Sequence, residues 1–172
     1  GRHSLNPSYS QVFINHAANT FELKESIWEL DVSGNTSSVP RIDGQFGIQN
    51  GILYQPTGQL LADSGYSWGF AYVNKALYDK YDVYDARRDW NVANFTYGVD
   101  NARVTLTRNP ISNTALFSYN RNNAKWRRTF ENFFPKDRFT SSVSFGILRY
   151  SDVLLMFAEA DLQLNGGTCT VD

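Results

Sequence analysis

The clearest period in the chain lies near its end. From Tyr150 to Leu164, the residues Val153, Leu154, Phe157, Ala158 and Leu162 recur at steps of three and four, the spacing of one helical face. Asn165-Gly166-Gly167 then supplies residues that tolerate the left-handed turn ending a helix. An apolar face of this width needs a partner, and only a few polar residues follow, so the pattern predicts packing against a helix outside the chain. The opposing reading folds the helix back on the chain's own sheet. The opening Gly1-Arg2-His3-Ser4-Leu5 likewise reads as the exit from a helix that precedes it. Both ends therefore predict a fragment of a longer scaffold, one that does not fold alone.

The other periods are shorter. Asn6-Pro7 is a good helix start and predicts a helix to about His16 that buries Tyr9, Val12 and Phe13. Glu25 to Val32 alternates apolar and polar residues, predicting a strand through Ile27, Leu30 and Val32, with Trp28 in the core. Ser33 to Trp68 is rich in glycine and proline and has few periodic runs. Loops of such length in a compact domain are usually functional or disordered, and Phe46, Tyr54, Tyr66 and Trp68 argue against plain disorder. A helix is expected over Ala71–Tyr81 with Val73, Leu77 and Tyr78 inward, and a strand over Ala102–Arg108 through Val104 and Leu106. Arg121 to Phe139 mixes basic and aromatic residues without a clear period.

Length and charge narrow the function classes. The 172 residues suffice for one domain with a core. Sixteen Lys plus Arg against 17 Asp plus Glu leave a formal charge of −1 and no basic stripe, which argues against nucleic acid and a polybasic membrane patch. Aromatic residues make up 15% of a chain that is polar on average, so some rings are expected at a surface, stacked on sugars or peptides. Cys169 is alone, so neither an internal disulfide nor a thiolate zinc site can form within the chain. Neither a signal peptide nor a run of transmembrane length is visible.

Catalysis finds no positive signal. Sugar hydrolysis needs two carboxylates across a cleft. Asp79, Asp82, Asp85 and Asp89 share one face if helical, yet Arg87 and Arg88 lie among them, which predicts a salt-bridged, solvated surface. The spacing does not fit an EF-hand. His3 and His16 are expected to be surface histidines, because no metal-ligand spacing links them. No catalytic residue, metal or cofactor is therefore assigned.

The run Ile147-Leu148-Arg149-Tyr150-Ser151-Asp152-Val153-Leu154-Leu155-Met156-Phe157-Ala158-Glu159-Ala160 closely resembles the signature helix of the SusD/RagB family. An Arg-Tyr-Ala-Asp-Val-Leu-Leu-Met-Tyr-Ala-Glu-Ala run is typical there, and Ser151 and Phe157 depart from it mildly. Three weaker likenesses occur in the family's order. These are Gly1 to Phe13, Glu25 to Leu30, and Asp85-Ala86-Arg87-Arg88-Asp89-Trp90 after Leu77-Tyr78.

The resemblance implies a mainly α protein with long loops, a few short strands and a tetratricopeptide-type helical scaffold that is incomplete in this chain. Residues 1–148 would form a loop-rich ligand-binding part and residues 149–166 a scaffold helix, with Arg149, Tyr150, Asp152 and Glu159 structural. It also implies a non-catalytic, cell-surface lipoprotein of the outer membrane. Its lipid anchor would lie outside this chain, and it would work with a SusC-like TonB-dependent transporter to take up oligosaccharides. RagB-like relatives imply peptides or other nutrients instead. A glycan-degrading domain is a weaker alternative, and an all-β carbohydrate-binding module does not require the Tyr150–Leu164 helix.

Family ligand contacts come largely from rings and amides on loops. By that analogy Tyr54, Tyr66 and Trp68 are expected to stack on the ligand, with Gln49, Asn50 and Asn74 as hydrogen-bonders. Alternatively, Trp68 and Tyr72 pin the loop to the body. A wholly exposed terminal helix would count against the family assignment, and rings all turned inward against sugar docking.

Overall fold

Apolar residues seldom keep one period for long in this chain, so its elements are short. The computed structural model describes residues 2–32, 44–100, 105–111 and 121–168. The expectations placed on Gly1, on residues 33–43, on Val104 and on Cys169 fall outside them.

Helix α1 (Tyr9–Ala17) buries Val12 and Phe13 as expected, along with His16 and Ala17. It begins later than Asn6, because the Asn6 Oδ1 accepts a hydrogen bond from the Ser8 backbone N–H at 2.9 Å and closes a turn before the helix. Strand β1 (Ser26–Leu30) pairs antiparallel with a later strand over Phe145–Arg149, Ser26 standing opposite Arg149 and Leu30 opposite Phe145. Two register shifts interrupt this ribbon, so strict alternation fails. Trp28 is consequently 61% exposed rather than in the core, Ile27 and Leu30 are exposed too, and Val32 is buried.

Two helices interrupt the stretch expected to be irregular, α2 (Phe46–Asn50) and α3 (Gly58–Ser64), each too short to show a sequence period. The predicted helix over Ala71–Tyr81 shrinks to α4 (Lys75–Tyr78). The reason is local. Asn74 caps α4 by accepting from the Ala76 N–H at 2.8 Å, while Val73 N–H donates to the Arg121 carbonyl and the Ala71 carbonyl accepts from Asn123. Val73 is buried as expected, but Leu77 is exposed and Tyr78 half-buried.

Helix α5 (Ala86–Asn91) is capped by Asp85, and β2 (Phe95–Asp100) pairs antiparallel with β3 (Thr105–Pro110). After a 3-10 turn at Arg128–Phe130 comes β4 (Phe145–Arg149), which leads directly into α6 (Tyr150–Leu164).

Residues 121–128, which show no clear period in sequence, form the spine of the core. Trp126 meets Phe13 edge-on at 5.2 Å and Phe46 at 4.8 Å, and a cluster with Val12, Ala17 and Val143 surrounds them. Ala124 sits in a second cluster with Ile52, Ala93 and Phe95. Each large ring buried here stabilises the fold by roughly 1.5–3 kcal/mol. His16 is not a surface residue. Its ring stacks on Trp126 at 5.8 Å, and Nε2 lies 3.1 Å from the Glu29 carboxylate. Burial raises the Glu29 pKa, but hydrogen bonds from His16 and Ser26 outweigh it and hold the group below its ordinary value.

The ends of α6 follow the sequence. Arg149 N–H donates to Asp152 Oδ2 at 2.9 Å, and Gly166 and Gly167 take positive φ after the last turn. The first turn of α6 touches the body, Tyr150 N–H donating to the Glu25 carbonyl at 2.7 Å and the Tyr150 ring stacking on His3 at 6.2 Å. No residue of α6 is buried, and Leu154, Leu155, Phe157 and Leu162 are exposed, so the apolar face is not covered by the described residues. The sequence reading put that cover on a helix outside the chain. Among the described residues, no helix is long and apolar enough to cross a membrane.

Candidate functional site

The extended segment from Gly65 to Asn74 alternates rings with small residues, so the period of a strand puts Tyr66, Trp68, Phe70 and Tyr72 on one side. Their exposure rises from Tyr66 to Phe70 and stays high at Tyr72. Tyr66 is 4% exposed, Trp68 37%, Phe70 66% and Tyr72 56%. The opposite set, Ser67, Gly69 and Val73, is buried.

Backbone pairing on two sides holds the segment in place. Tyr54 and Ser67 form a bridge, Trp68 N–H donates to the Ile48 carbonyl, and Phe70 N–H to the Gln49 carbonyl. On the other flank Tyr72 bridges Asn122, whose side chain donates to the Gly69 carbonyl at 3.0 Å and accepts from Leu53 N–H at 3.1 Å. Gly69 itself sits at φ +61°, and a Cβ there would stand 2.7 Å from Leu53 Cβ. Only glycine fits.

The rings form an ordered series. Tyr66 meets Trp68 edge-on at 4.9 Å, and Trp68 lies 5.8 Å from Phe70 with their planes 8° apart. Trp68 and Phe70 thus make one exposed apolar ledge of two parallel, stacked rings, suited to the CH face of a sugar or to another flat ligand. The buried Tyr66 supports this ledge from behind.

Arg128 anchors the Tyr66 end. Its Nε and Nη2 form a two-pronged pair with Glu131, both bonds at 2.9 Å, and the remaining N–H donors reach the carbonyls of Tyr66, Asp137 and Thr140. All five donors of a guanidinium are used, which satisfies a charge that would otherwise be costly to bury.

The six residues singled out from sequence separate here. Trp68 is exposed on the ledge. Tyr66 is adjacent but buried, and Tyr54 is buried against Tyr97 at 5.4 Å between ring centres. Neither tyrosine presents a face to solvent, because Tyr97 covers the first and the Arg138 guanidinium lies over the second at 5.1 Å. Gln49 is exposed beside the ledge, its amide donating to Gln45 at 3.0 Å. Asn50 donates to the Phe46 carbonyl at 3.1 Å, and Asn74 spends its oxygen on the α4 cap. Phe70 was missed, and Tyr72 was considered only as a pin. The signal was there in Tyr66-Ser67-Trp68-Gly69-Phe70-Ala71-Tyr72, a period of two hidden inside a loop-like composition.

The aspartate cluster does not share one helical face. Asp79 ends α4 and pairs with Lys75, Asp82 accepts from Tyr84 N–H in a turn, Asp85 caps α5, and Asp89 pairs with Arg88 at 3.0 Å. Arg87 grips Asp85 by Nε and Nη2, and these hydrogen bonds hold the carboxyl below its ordinary pKa. The salt-bridged surface reading stands, as a capped turn between two short helices. Among the described residues, no group of three or more His, Cys, Asp or Glu could hold a metal ion.

Residues 24–171 match the SusD family. No curated protein matches the chain. In solved structures, 96% of the chain aligns with a SusD homologue from Bacteroides thetaiotaomicron VPI-5482 at TM-score 0.76 and 23% identity, covering 34% of that protein. A surface glycan-binding protein A from Bacteroides thetaiotaomicron aligns over 97% of the chain at TM-score 0.55 and 20% identity, covering 36% of its own length. The chain therefore spans about a third of each, and shares their fold over that part. With the match running through the ledge and α6, the chain belongs to the SusD family.

Proposed function

We propose that the chain is part of a non-catalytic, lipid-anchored protein of the outer-membrane surface that captures oligosaccharides for a SusC-like TonB-dependent transporter. The observation that carries the reading is the Trp68–Phe70 ledge, two exposed and nearly parallel rings on a segment fixed from both flanks. A rigid ring pair costs little entropy to order on binding, and it meets the apolar face of a sugar without choosing a hydroxyl pattern. Gln49, and Asn74 through its amide N–H groups, are the polar groups assigned to the sugar's hydroxyl edge. Asn50 and the buried Tyr54 and Tyr66 act through the ledge they support. Family membership and the name of one structural relative favour a glycan over a peptide.

Native gels containing single polysaccharides test this directly. The full-length protein should be retarded by at least one glycan, and Trp68→Ala or Phe70→Ala should weaken binding by roughly tenfold or more, the cost of losing a ring anchor. Reducing ends should not accumulate during incubation. Retardation that survives both substitutions removes the ledge from the site, and binding to peptides with none to glycans replaces the sugar by a peptide.

A further inference from the structure

A second groove, of about 570 Å³, runs between the start of α1, α5 and the β2–β3 ribbon. Arg127 lines it and is only 6% exposed. Its Nε donates to the Ala124 carbonyl at 2.9 Å, one Nη donates to the Trp90 carbonyl at 3.3 Å, and the guanidinium lies 3.8 Å from the Trp90 ring centre. Among the described residues no carboxylate pairs with it. Desolvation pulls its pKa down to about 10, with the charge of Arg108 acting in the same direction.

The contrast with Arg128 is informative, since that buried guanidinium has Glu131 to neutralise it. Arg108, exposed on β3, also faces the groove, and both guanidinium carbons lie within 5.4 Å of the Phe95 ring centre. Among the described residues the one acid on the groove's wall, Asp89, is already paired with Arg88. Two cations therefore converge on a space where the described residues offer no available counter-charge. The rest of the wall includes neutral hydrogen-bonding side chains, among them Ser8 and Asn94.

We propose that this groove is an acidic-sugar subsite in which Arg127 and Arg108 receive the carboxylate of a uronate residue. Planar guanidinium forks match a carboxylate in two-pronged geometry, and the neutral hydroxyl and amide groups suit the ring hydroxyls beside it. The volume holds one or two sugar residues. The assignment of the carboxylate to a sugar rests on the glycan reading above, whereas the need for an anion does not.

Calorimetry on the full-length protein with trigalacturonate and its methyl ester isolates the charge, because the two probes share one carbohydrate skeleton. The acid is expected to bind at least tenfold more tightly than the ester, and that ratio should shrink as salt rises. Arg108→Ala, an exposed position, should reduce the ratio to near unity with the circular dichroism spectrum unchanged, and Arg108→Lys should restore part of it. Arg127→Lys should lower the ratio as well. Trp68→Ala reports on the ledge separately and should leave the ratio as it is. Equal affinity for acid and ester, or a ratio unmoved by Arg108→Ala, overturns the subsite. Binding of triglutamate as tight as that of trigalacturonate overturns its assignment to sugar.

Discussion

Lys136 is an amine held inside the protein at an energetic cost. Its side chain is almost wholly buried, near the Phe134 ring and the Arg128–Glu131 pair, and desolvation lowers its pKa from 10.5 to about 8. Between those values the unfolded chain holds a proton that the folded chain has released, so stability should rise with pH across that window. Below the lower value the full cost is present. Lys136→Met should therefore stabilise the protein by roughly 1–3 kcal/mol at neutral pH and abolish the rise. Urea unfolding at about pH 7 and about pH 10 measures both, and a wild-type stability that stays flat between them contradicts the argument. Single residues of this kind are not legible in the sequence. His16 was expected at the surface and Trp28 inside, and each is the reverse. What decides such cases is a partner distant in sequence. Trp126 and Glu29 enclose His16, and the broken register with β4 leaves Trp28 outside.

At the scale of elements, the ledge depends on a clamp outside it. Arg128 binds the Tyr66 carbonyl while Glu131 holds Arg128, and the Ser141 hydroxyl donates to the same carboxylate. Glu131→Gln should leave Arg128 buried without a counter-charge, lowering stability by about 3–5 kcal/mol. Glycan binding should weaken with it as the Tyr66–Trp68 strand loosens. Chemical denaturation reads the first effect and gel retardation the second. A variant as stable as wild type would show that the pair is dispensable. Elements with their own end signals were legible in the sequence. Val12 and Phe13 marked the buried side of α1, and Asn165-Gly166-Gly167 marked the end of α6. The four-residue α4 was overextended because Val73, inward on the helical reading, is buried by backbone pairing with Arg121 instead. Strand β2 went unrecognised although Phe95, Tyr97 and Val99 alternate with smaller or polar residues.

At the scale of the whole molecule, family membership was readable because one long run, Arg149 to Ala160, is specific where composition is not. The ledge was readable only in part. The interval from Gln49 to Asn74 contains it, yet ring identity alone could not tell the buried Tyr54 and Tyr66 from the exposed Trp68 and Phe70. That difference arises from what packs over each ring, Tyr97 against Tyr54 and the Arg138 guanidinium over Tyr66, partners distant in sequence. The apolar side of α6 was readable as a face that needs cover, and it is open among the described residues.

The proposed glycan capture depends on a sugar ring resting against Trp68 and Phe70. A crystal structure of the full-length protein with the glycan that retards it most should show a pyranose within about 4 Å of both rings, with Gln49 or Asn74 on its hydroxyls. A ligand bound elsewhere, with the two rings left bare, would contradict it.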